Sequence, residues 1–314
     1  MKPYRLLALA GSLAALILSA GCSTGSTGAP PPQTASALPD ISGLAWVDGN
    51  EFLAIHDVKH PDDRPSVSLI SLPASSAGPA RETMEIVWPA PLGSASDLES
   101  IARIPGTSLF LLAESGQAKR AGTSFRRIFL TEYRDRRLDV VDAVDWPVPV
   151  HNVEGAAVAR SGDQLVFLFA ERAEGEPQTL LRWASLSLQP MTFGPFQEVA
   201  FSVPDPAGPY ARPVSAIEVD DAGRIIVASA IDTGNDSGPF RSVIWRIGRI
   251  EDDGGSGPRV VFDAQPTRLA TLDGIKVEAL ALRPQPGGAA ELFFGTDDEH
   301  HGGIIRHIPL GTEG

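Results

Sequence analysis

A fivefold internal repeat between residues 40 and 310 constrains the fold of this chain more than any other feature. Each copy carries a polar residue, a hydrophobic one and then Ser or Glu, followed by a small apolar step, a glycine-bearing turn and a second hydrophobic run ending in an acid. The copies are DISGLAWVDGNEFLAIHD (40–57), DLESIARIPGTSLFLLAES (97–115), NVEGAAVARSGDQLVFLFAER (152–172), PVSAIEVDDAGRIIVASAID (213–232) and KVEALALRPQPGGAAELFFGTDDE (276–299). A period of roughly 60 residues built from strand signals is typical of a radial β array and not of a helical solenoid.

Two further strands complete most of the repeats. The third strands are SVSLISL (66–72), FRRIFLTEY (125–133), LLRWASLSL (180–188), SVIWRIGRI (242–250) and IIRHIPL (304–310). The fourth strands are MEIVWPAP (84–91), DAVDWPVP (142–149), EVAFSVPDP (198–206) and RVVFDAQP (259–266), and their prolines suit an outer edge. The pattern predicts an all-β fold, a single β-propeller of five four-stranded blades over residues 39–314, with six blades as the alternative. We expect residues near Pro39 to supply the missing fourth strand of the last blade.

Residues 1–38 carry a different pattern, that of an export signal and a linker. Lys2 and Arg5 precede an apolar or small run over residues 6–20, which is too short to span a bilayer and is typical of a signal peptide. Residues 22–38 after it are rich in Ser, Thr, Gly and Pro, a composition that predicts a flexible tether. The folded domain is therefore expected to begin near Pro39.

The lone cysteine lies at the end of the signal segment. Ser19-Ala20-Gly21-Cys22 resembles the lipobox of a bacterial lipoprotein, which implies cleavage after residue 21, a lipid on Cys22 and attachment to a membrane. The residue after the cysteine is Ser23, and the resemblance then implies a place in the cell envelope at the outer membrane. An ordinary secretory signal with a chance cysteine is the alternative.

Charge and cysteine content exclude several classes of protein. The chain has 26 basic and 39 acidic residues, a formal net charge of −13, which disfavours a nucleic-acid binder because such proteins need a basic face. A single cysteine excludes a disulfide scaffold and a cysteine-based zinc or iron–sulfur site.

Acidic residues recur at two positions that a propeller brings to one face. In each blade the first strand lines the channel and the second returns antiparallel, so the start of one and the end of the other meet. One set comprises Glu99, Glu154 and Glu278, with Ser42 and Ser215 at the same position in the other two blades. The other set comprises Asp57, Glu114, Glu171, Asp232, Asp297 and Asp298.

Converging carboxylates need neutralisation, and oxygen ligands suit Ca²⁺. The sequence predicts a Ca²⁺ site held by Glu99, Glu154 and Glu278, with Asp57, Asp297 and Asp298 as further ligands. The alternative is that these acids bond backbone N–H groups or hydroxyls in a structural role. Basic residues beside them, Arg172 and Lys276 among others, balance the acids or receive an anionic group.

The order of the short motifs resembles the phytase-like, or esterase-like phytase, β-propeller family. The motifs are Ser-Gly-Leu, Asp-x-Glu-x-Ile, Asn-x-Glu-Gly and Lys-x-Glu, each followed by an acid at the end of the next run, and they cover residues 40 to 310. The resemblance implies a six-bladed or similar propeller that hydrolyses phosphoesters or carboxyl esters with Ca²⁺. Ser100 and Ala279 depart from the glycine that the family carries after the glutamate.

Two classes of function stay open. In the first, the chain is a Ca²⁺-assisted hydrolase at the acidic channel mouth, where Glu114 or Glu171 activates water and Arg172 or Lys119 holds an anionic small-molecule substrate. In the second, it is a non-catalytic propeller of the cell envelope that binds a ligand or a partner protein, and its acids are structural. Trp46, Trp183 and Trp245 lie inside strand patterns and are predicted to be core residues between blades.

Overall fold

A computed structural model describes residues 38–56, 66–73, 78–90, 93–117, 119–120, 123–124, 126–235, 238–252, 257–286, 290–297 and 302–309. These ranges contain strands, turns and irregular segments, and no helix in them is long and apolar enough to cross a membrane. The signal segment, Cys22 and the tether up to residue 37 lie outside the described residues, as do Asp57 and Asp298. Lys119 is described in its backbone alone.

The first two blades contain eleven of the strands in the described ranges. Blade 1 is formed by β1 (Gly43–Asp48), β2 (Glu51–His56), β3 (Ser66–Ser71) and β4 (Ala80–Thr83). Blade 2 is formed by β5 (Glu85–Val87), β6 (Leu98–Arg103), β7 (Leu109–Glu114), β10 (Arg127–Arg134) and β11 (Arg137–Asp145), while β8 (Lys119–Arg120) and β9 (Thr123–Ser124) form a separate hairpin. Within each blade, strands that follow one another in the sequence pair antiparallel, apart from β5.

The other three blades repeat this arrangement. Blade 3 is formed by β12 (Val153–Ser161), β13 (Gln164–Glu171) and β14 (Thr179–Leu188), whose outer edge pairs with β15 (Met191–Phe193) and β16 (Gln197–Phe201). Blade 4 is formed by β17 (Ala211–Val219), β18 (Arg224–Ile231), β19 (Arg241–Asp252) and β20 (Pro258–Asp273). Blade 5 is formed by β21 (Val277–Pro284), β22 (Ala290–Thr296) and β23 (Ile305–Ile308).

The innermost strands close a ring. β1 contacts β6, β6 contacts β12, β12 contacts β17, β17 contacts β21, and β21 contacts β1 again. The five-bladed propeller is therefore confirmed, and the six-bladed alternative is wrong. Hydrophobic cores fill the spaces between adjacent blades, and Trp183 and Trp245 are buried in the one between blades 3 and 4, as predicted.

Two outer edges differ from the predicted ones. Blade 1 ends with β4, and the predicted strand at residues 84–91 instead supplies β5, which pairs in parallel with β11 of blade 2. The reason is packing: Met84 is buried in the core between the two blades, and the Trp88 ring lies 5.0 Å from that of Phe129. Among the described residues, which begin at residue 38, the segment near Pro39 forms one isolated antiparallel bridge, Leu38 to Gly303, and no full strand.

Small residues keep the channel narrow where the inner strands approach one another. At Gly155 an added Cβ would lie 2.7 Å from the backbone nitrogen of Ile217, so β12 and β17 are in contact through backbone atoms. Gly43 has the corresponding place on β1, 3.1 Å from the nitrogen of Ile101. Ser100 and Ala279 fill the same position on β6 and β21, which shows that a small side chain is tolerated there.

Candidate functional site

The five inner strands run in one direction along the channel, so that their starts lie at one mouth and their ends at the other. At the starts, a cavity of about 10 Å³ is lined by Ser42, Glu99, Glu154 and Glu278 together with small and aliphatic residues. We call this end the acidic mouth. Its cavity has room for about one water molecule.

Basic side chains neutralise the carboxylates at the acidic mouth. Glu154 accepts a hydrogen bond of 2.6 Å from Nε of Arg172, which directly follows β13. Arg212, near the start of β17, donates from Nη1 to Glu278 and from Nη2 to Asp232, each over 2.7 Å. The Arg212 contacts join blades 4 and 5 through buried charged groups, whereas the Arg172 contact lies within blade 3.

Lys276 is the third cation of the same network. Its Nζ lies 3.1 Å from Oδ2 of Asp232, 3.1 Å from Oε1 of Glu278 and 3.3 Å from Oδ2 of Asp297. Glu174 connects the two parts of the network from the rim, with Oε2 3.5 Å from Nε of Arg212 and 3.9 Å from Nη1 of Arg172. The contacts described here therefore connect three cations with five carboxylates, which leaves an excess of negative charge.

This excess shifts the proton affinity of the buried groups. Burial raises the pKa of Glu278, and the charges of Asp297 and Glu154 raise it further, although Lys276 and Arg212 oppose the shift. Burial would lower the pKa of Lys276, but Glu278 and Asp297 outweigh it, so that the pKa is raised and the ammonium stays charged. Because burial and the neighbouring carboxylates act together, Glu278 keeps its proton more easily than an exposed glutamate does.

The remaining residues of the predicted ring have separate roles. Glu99 lines the same small cavity, and its charge is one of those that raise the pKa of Arg172 against the opposing effect of burial. Ser215 donates a hydrogen bond of 2.7 Å to the carbonyl of Val277 and so ties β17 to β21. The hydroxyl of Ser42 is buried without a hydrogen-bond partner in the described part of the chain.

Glu114 and Glu171, the predicted water-activating acids, bond within their own blades. Glu114 is fully buried, accepts hydrogen bonds of 2.7 and 3.2 Å from Arg127 and one of 3.0 Å from the backbone of Ser96, and burial raises its pKa despite that arginine. Glu171 accepts a bond of 2.9 Å from Nη1 of Arg182. Both acids thus hold adjacent strands together, and no described contact joins them to the network at the mouth.

The described donors do not fit a Ca²⁺ site. Of the predicted ligands, Glu154, Glu278 and Asp297 each have a guanidinium or ammonium nitrogen within 3.3 Å. In the ranges described, no three His, Cys, Asp or Glu side chains are arranged to hold a metal ion. The cations of the network would repel a divalent ion, so we derive no chemical step through Ca²⁺, and its binding stays a prediction.

The opposite end of the channel was not predicted as a site. Here a cavity of about 530 Å³ is lined by the ends of all five inner strands, including Trp46, Arg103, Arg160, Glu218 and Leu282. We call this end the far mouth. Trp46 is half-buried on its wall, whereas the sequence predicted a core residue.

Arg103 and Glu218 are the polar groups of the far mouth that its walls partly cover. The guanidinium of Arg103 lies 4.3 Å from the ring centre of Trp46 and donates a long hydrogen bond of 3.4 Å to the carbonyl of Thr107. Glu218 accepts a bond of 2.9 Å from the N–H of Val219, and burial raises its pKa to about 8. Both residues lie at strand ends, where a charged residue usually indicates solvent exposure, so no pattern in the sequence indicated a cavity there.

No family model matches the chain, and no curated protein matches it. Several solved structures are similar to it. An endo-1,4-beta-xylanase from Bacteroides thetaiotaomicron is similar with a TM-score of 0.51 and 10% identity, over 86% of this chain and 91% of the xylanase. A thermostable family-43 glycoside hydrolase is similar with a TM-score of 0.52 and 9% identity, over 86% and 89% of the two chains. At these identities the likeness shows the β-propeller fold alone.

Proposed function

We propose that this propeller is a hydrolase that acts at the acidic mouth, with Glu278 as the proton donor and Glu154 as its ionised partner. The observation that carries the proposal is a buried carboxyl whose pKa is raised, lining the same cavity as a second carboxyl group that is paired with Arg172 over 2.6 Å. A buried carboxyl with raised proton affinity beside a second carboxyl group that is paired with an arginine supplies the acid and the base that general acid–base hydrolysis requires.

The neighbouring cations suit this division of roles. Glu278 would give its proton to the leaving oxygen as the bond to that oxygen breaks, and Arg212 and Lys276 would stabilise the carboxylate that results. Glu154 would take a proton from the attacking water, for which the small cavity has room. The proton then returns from Glu154 to Glu278 and the site is restored.

The charge of the mouth favours an uncharged substrate. Each cation in the described network is already paired with carboxylates, so a phosphoester would meet net negative charge. A carboxyl ester or a glycoside carries no such charge, and a glycoside is also the substrate class in the names of the two similar structures. We therefore favour an uncharged ester or glycoside over the phosphoester that the family resemblance implies.

A substrate panel tests the proposal. The purified chain is assayed with p-nitrophenyl acetate, p-nitrophenyl phosphate and p-nitrophenyl xyloside, each with added Ca²⁺ and with EDTA. Glu278→Gln and Glu154→Gln are each expected to lower kcat by about 10²- to 10⁴-fold. Glu171→Gln is the matched control, because it also removes a carboxylate paired with an arginine. Full activity in the Glu154→Gln, Glu278→Gln double variant would exclude this site.

A second candidate is a non-catalytic propeller that binds a ligand or an envelope protein. The observation in its favour is that Glu154, Glu278, Asp232 and Asp297 are all bonded to arginine or lysine, as in a structural charge cluster. In that case no member of the panel is hydrolysed, and the Gln variants change only the unfolding free energy.

We also propose that lipid on Cys22 anchors the protein in the cell envelope, at the outer membrane. The support is the order of features in the first 22 residues: basic residues come first, an apolar run follows, and small residues precede the cysteine. Metabolic labelling with a radioactive fatty acid tests this: the intact chain should incorporate label into the membrane fraction and Cys22→Ala should not. Equal labelling of both chains would exclude Cys22 as the attachment point.

A further inference from the structure

The far mouth has the size and the unsatisfied polar groups of a binding site. Its cavity of about 530 Å³ lies within the range of small-molecule sites, whereas the acidic mouth has space for about one water. All five inner strands contribute to its wall, so the ring itself holds the shape of the cavity. This site is independent of the function proposed for the acidic mouth.

Arg103 distinguishes the far mouth from the rest of the channel. Within the described ranges it forms no ion pair, and its Nε is buried without a hydrogen-bond partner. Burial lowers the pKa of Arg103, and the charges of Asp48, Asp221 and Glu218 oppose that shift from beyond ion-pair distance. A partly buried guanidinium without a carboxylate partner is a strong site for an added anion, because arginine pairs with carboxylates by two parallel hydrogen bonds.

The surrounding wall limits what that anion is. Val158, Val219 and Leu282 supply apolar surface, and the Trp46 ring lies under the guanidinium. Asp220 and Asp221 lie at the rim, so a doubly charged phosphate would be repelled more than a singly charged carboxylate. The wall thus matches a molecule with one negative charge and an apolar body.

We propose that the far mouth binds a small organic monocarboxylate, with its carboxylate on Arg103 and its apolar part against Trp46 and the aliphatic wall. Glu218 faces the same space and, in its protonated form, donates a hydrogen bond to the ligand. The contact of Arg103 with the Trp46 ring and its hydrogen bond to the carbonyl of Thr107 restrain the guanidinium before the ligand arrives, which lowers the entropy lost on binding.

Calorimetric titration with three matched probes tests the class of ligand. Benzoate carries one negative charge, benzamide is its uncharged analogue, and phenyl phosphate carries more charge on the same ring. We expect benzoate to bind, and benzamide and phenyl phosphate to bind at least about tenfold more weakly. Equal affinity for benzoate and benzamide, or no heat with millimolar benzoate, would overturn the proposal.

Variants locate the bound probe. Arg103→Gln is expected to weaken benzoate binding at least about tenfold. Arg268→Gln is the control, since Arg268 also lies over a tryptophan ring, that of Trp245 at 5.0 Å, but on another face of the molecule. Thermal unfolding of each variant establishes that it is folded. Unchanged affinity in Arg103→Gln would show that the benzoate site is elsewhere.

A fluorescence measurement gives a second readout. 2-Aminobenzoate absorbs where tryptophan emits, and a molecule bound beside Trp46 should quench that indole by energy transfer. The quenching should fall sharply in Trp46→Phe, although four other tryptophans remain. Undiminished quenching in this variant would place the ligand away from the far mouth.

The pH dependence completes the test. The charged groups at this mouth are Arg103 on β6, Arg160 on β12, Asp220 and Asp221 after β17, and Asp48 at the end of β1, while β21 presents the backbone of Leu282. Glu218 loses its proton as the pH rises through about 8, so the affinity for benzoate should fall as the pH is raised through that value. Glu218→Gln should remove the fall, and a fall of the same size in that variant would exclude Glu218 as the ligand's partner.

Discussion

The two mouths of one channel handle charge in opposite ways. At the acidic mouth Arg172, Arg212 and Lys276 are each held by carboxylates, and about 10 Å³ of space remains. At the far mouth Arg103 has no such partner in the described residues, and about 530 Å³ is open beside it. Cations that are all paired with carboxylates, with little space beside them, suit proton transfer or a structural role. A cation without a carboxylate partner, beside open space, suits the binding of a second molecule.

Removing a cation from the saturated network should have the largest effect. Arg212→Met leaves Glu278 and Asp232 buried with less compensation, and we expect a loss of about 3–5 kcal/mol in unfolding free energy. Urea unfolding measures it. Arg182→Met, which releases the more exposed Glu171 and Glu198, should cost about 1 kcal/mol or less. Equal losses in the two variants would contradict the distinction between the mouth and the outer surface.

The close approach of β12 and β17 at Gly155 should give the next largest effect on the free energy of unfolding. In Gly155→Ala the new Cβ would meet Ile217, and overpacking of this kind costs about 1–3 kcal/mol. Gly43→Ala is the matched control with more room, 3.1 Å to the nearest atom, and should cost less by the same urea measurement. The reverse order would show that the ring adjusts more easily at β12 than at β1.

A separate effect, which depends on pH, is expected at the far mouth. The pKa of Glu218 in the folded chain, about 8, lies above its ordinary value of 4.5, so the folded state binds more protons between these values and loses stability as pH rises through them. Glu218→Gln should remove part of that loss, so that Tm falls less between pH 5 and pH 8 in the variant than in the unmodified chain. Asp221→Asn at the rim is the control, and an identical response in both variants would exclude Glu218 as the cause.

The smallest effect on stability should come from the unpaired arginine. Arg103→Gln loses its contact with Trp46 but no ion pair, so the unfolding free energy should change by about 1 kcal/mol or less. The same urea titration used for Arg212→Met measures it. A loss as large as that of Arg212→Met would mean that Arg103 is structural and would weaken the contrast between the mouths.

The sequence predicted the propeller well because each blade repeats its own pattern. The small and apolar runs of β12 and β17, each buried over seven consecutive residues, are local information, and the five copies of this pattern specify the ring. The position of residues 84–91 was wrong because the strand that Ile86 joins, β11, comes from the next blade, and such pairing depends on packing between blades.

The site was predicted less completely, for a different physical reason. The recurrence of Glu154 and Glu278 is visible in the repeat, and both line one cavity. Arg212 was missed because it lies three residues before Ser215, in one of the two blades where the repeat has Ser in place of Glu, and its partners come from other strands. The significance of Arg103 depends on an absence of partners, which no linear pattern records.

The bridge between Leu38 and Gly303 has a consequence for the order of the blades. The N–H of Gly303 donates a hydrogen bond of 2.7 Å to the carbonyl of Leu38, so the first described residues lie against the last blade. A short linker from residue 309 to residue 38 would close the polypeptide into a circle, and new ends could then be opened in any exposed turn between blades. The propeller is therefore a natural candidate for circular permutation.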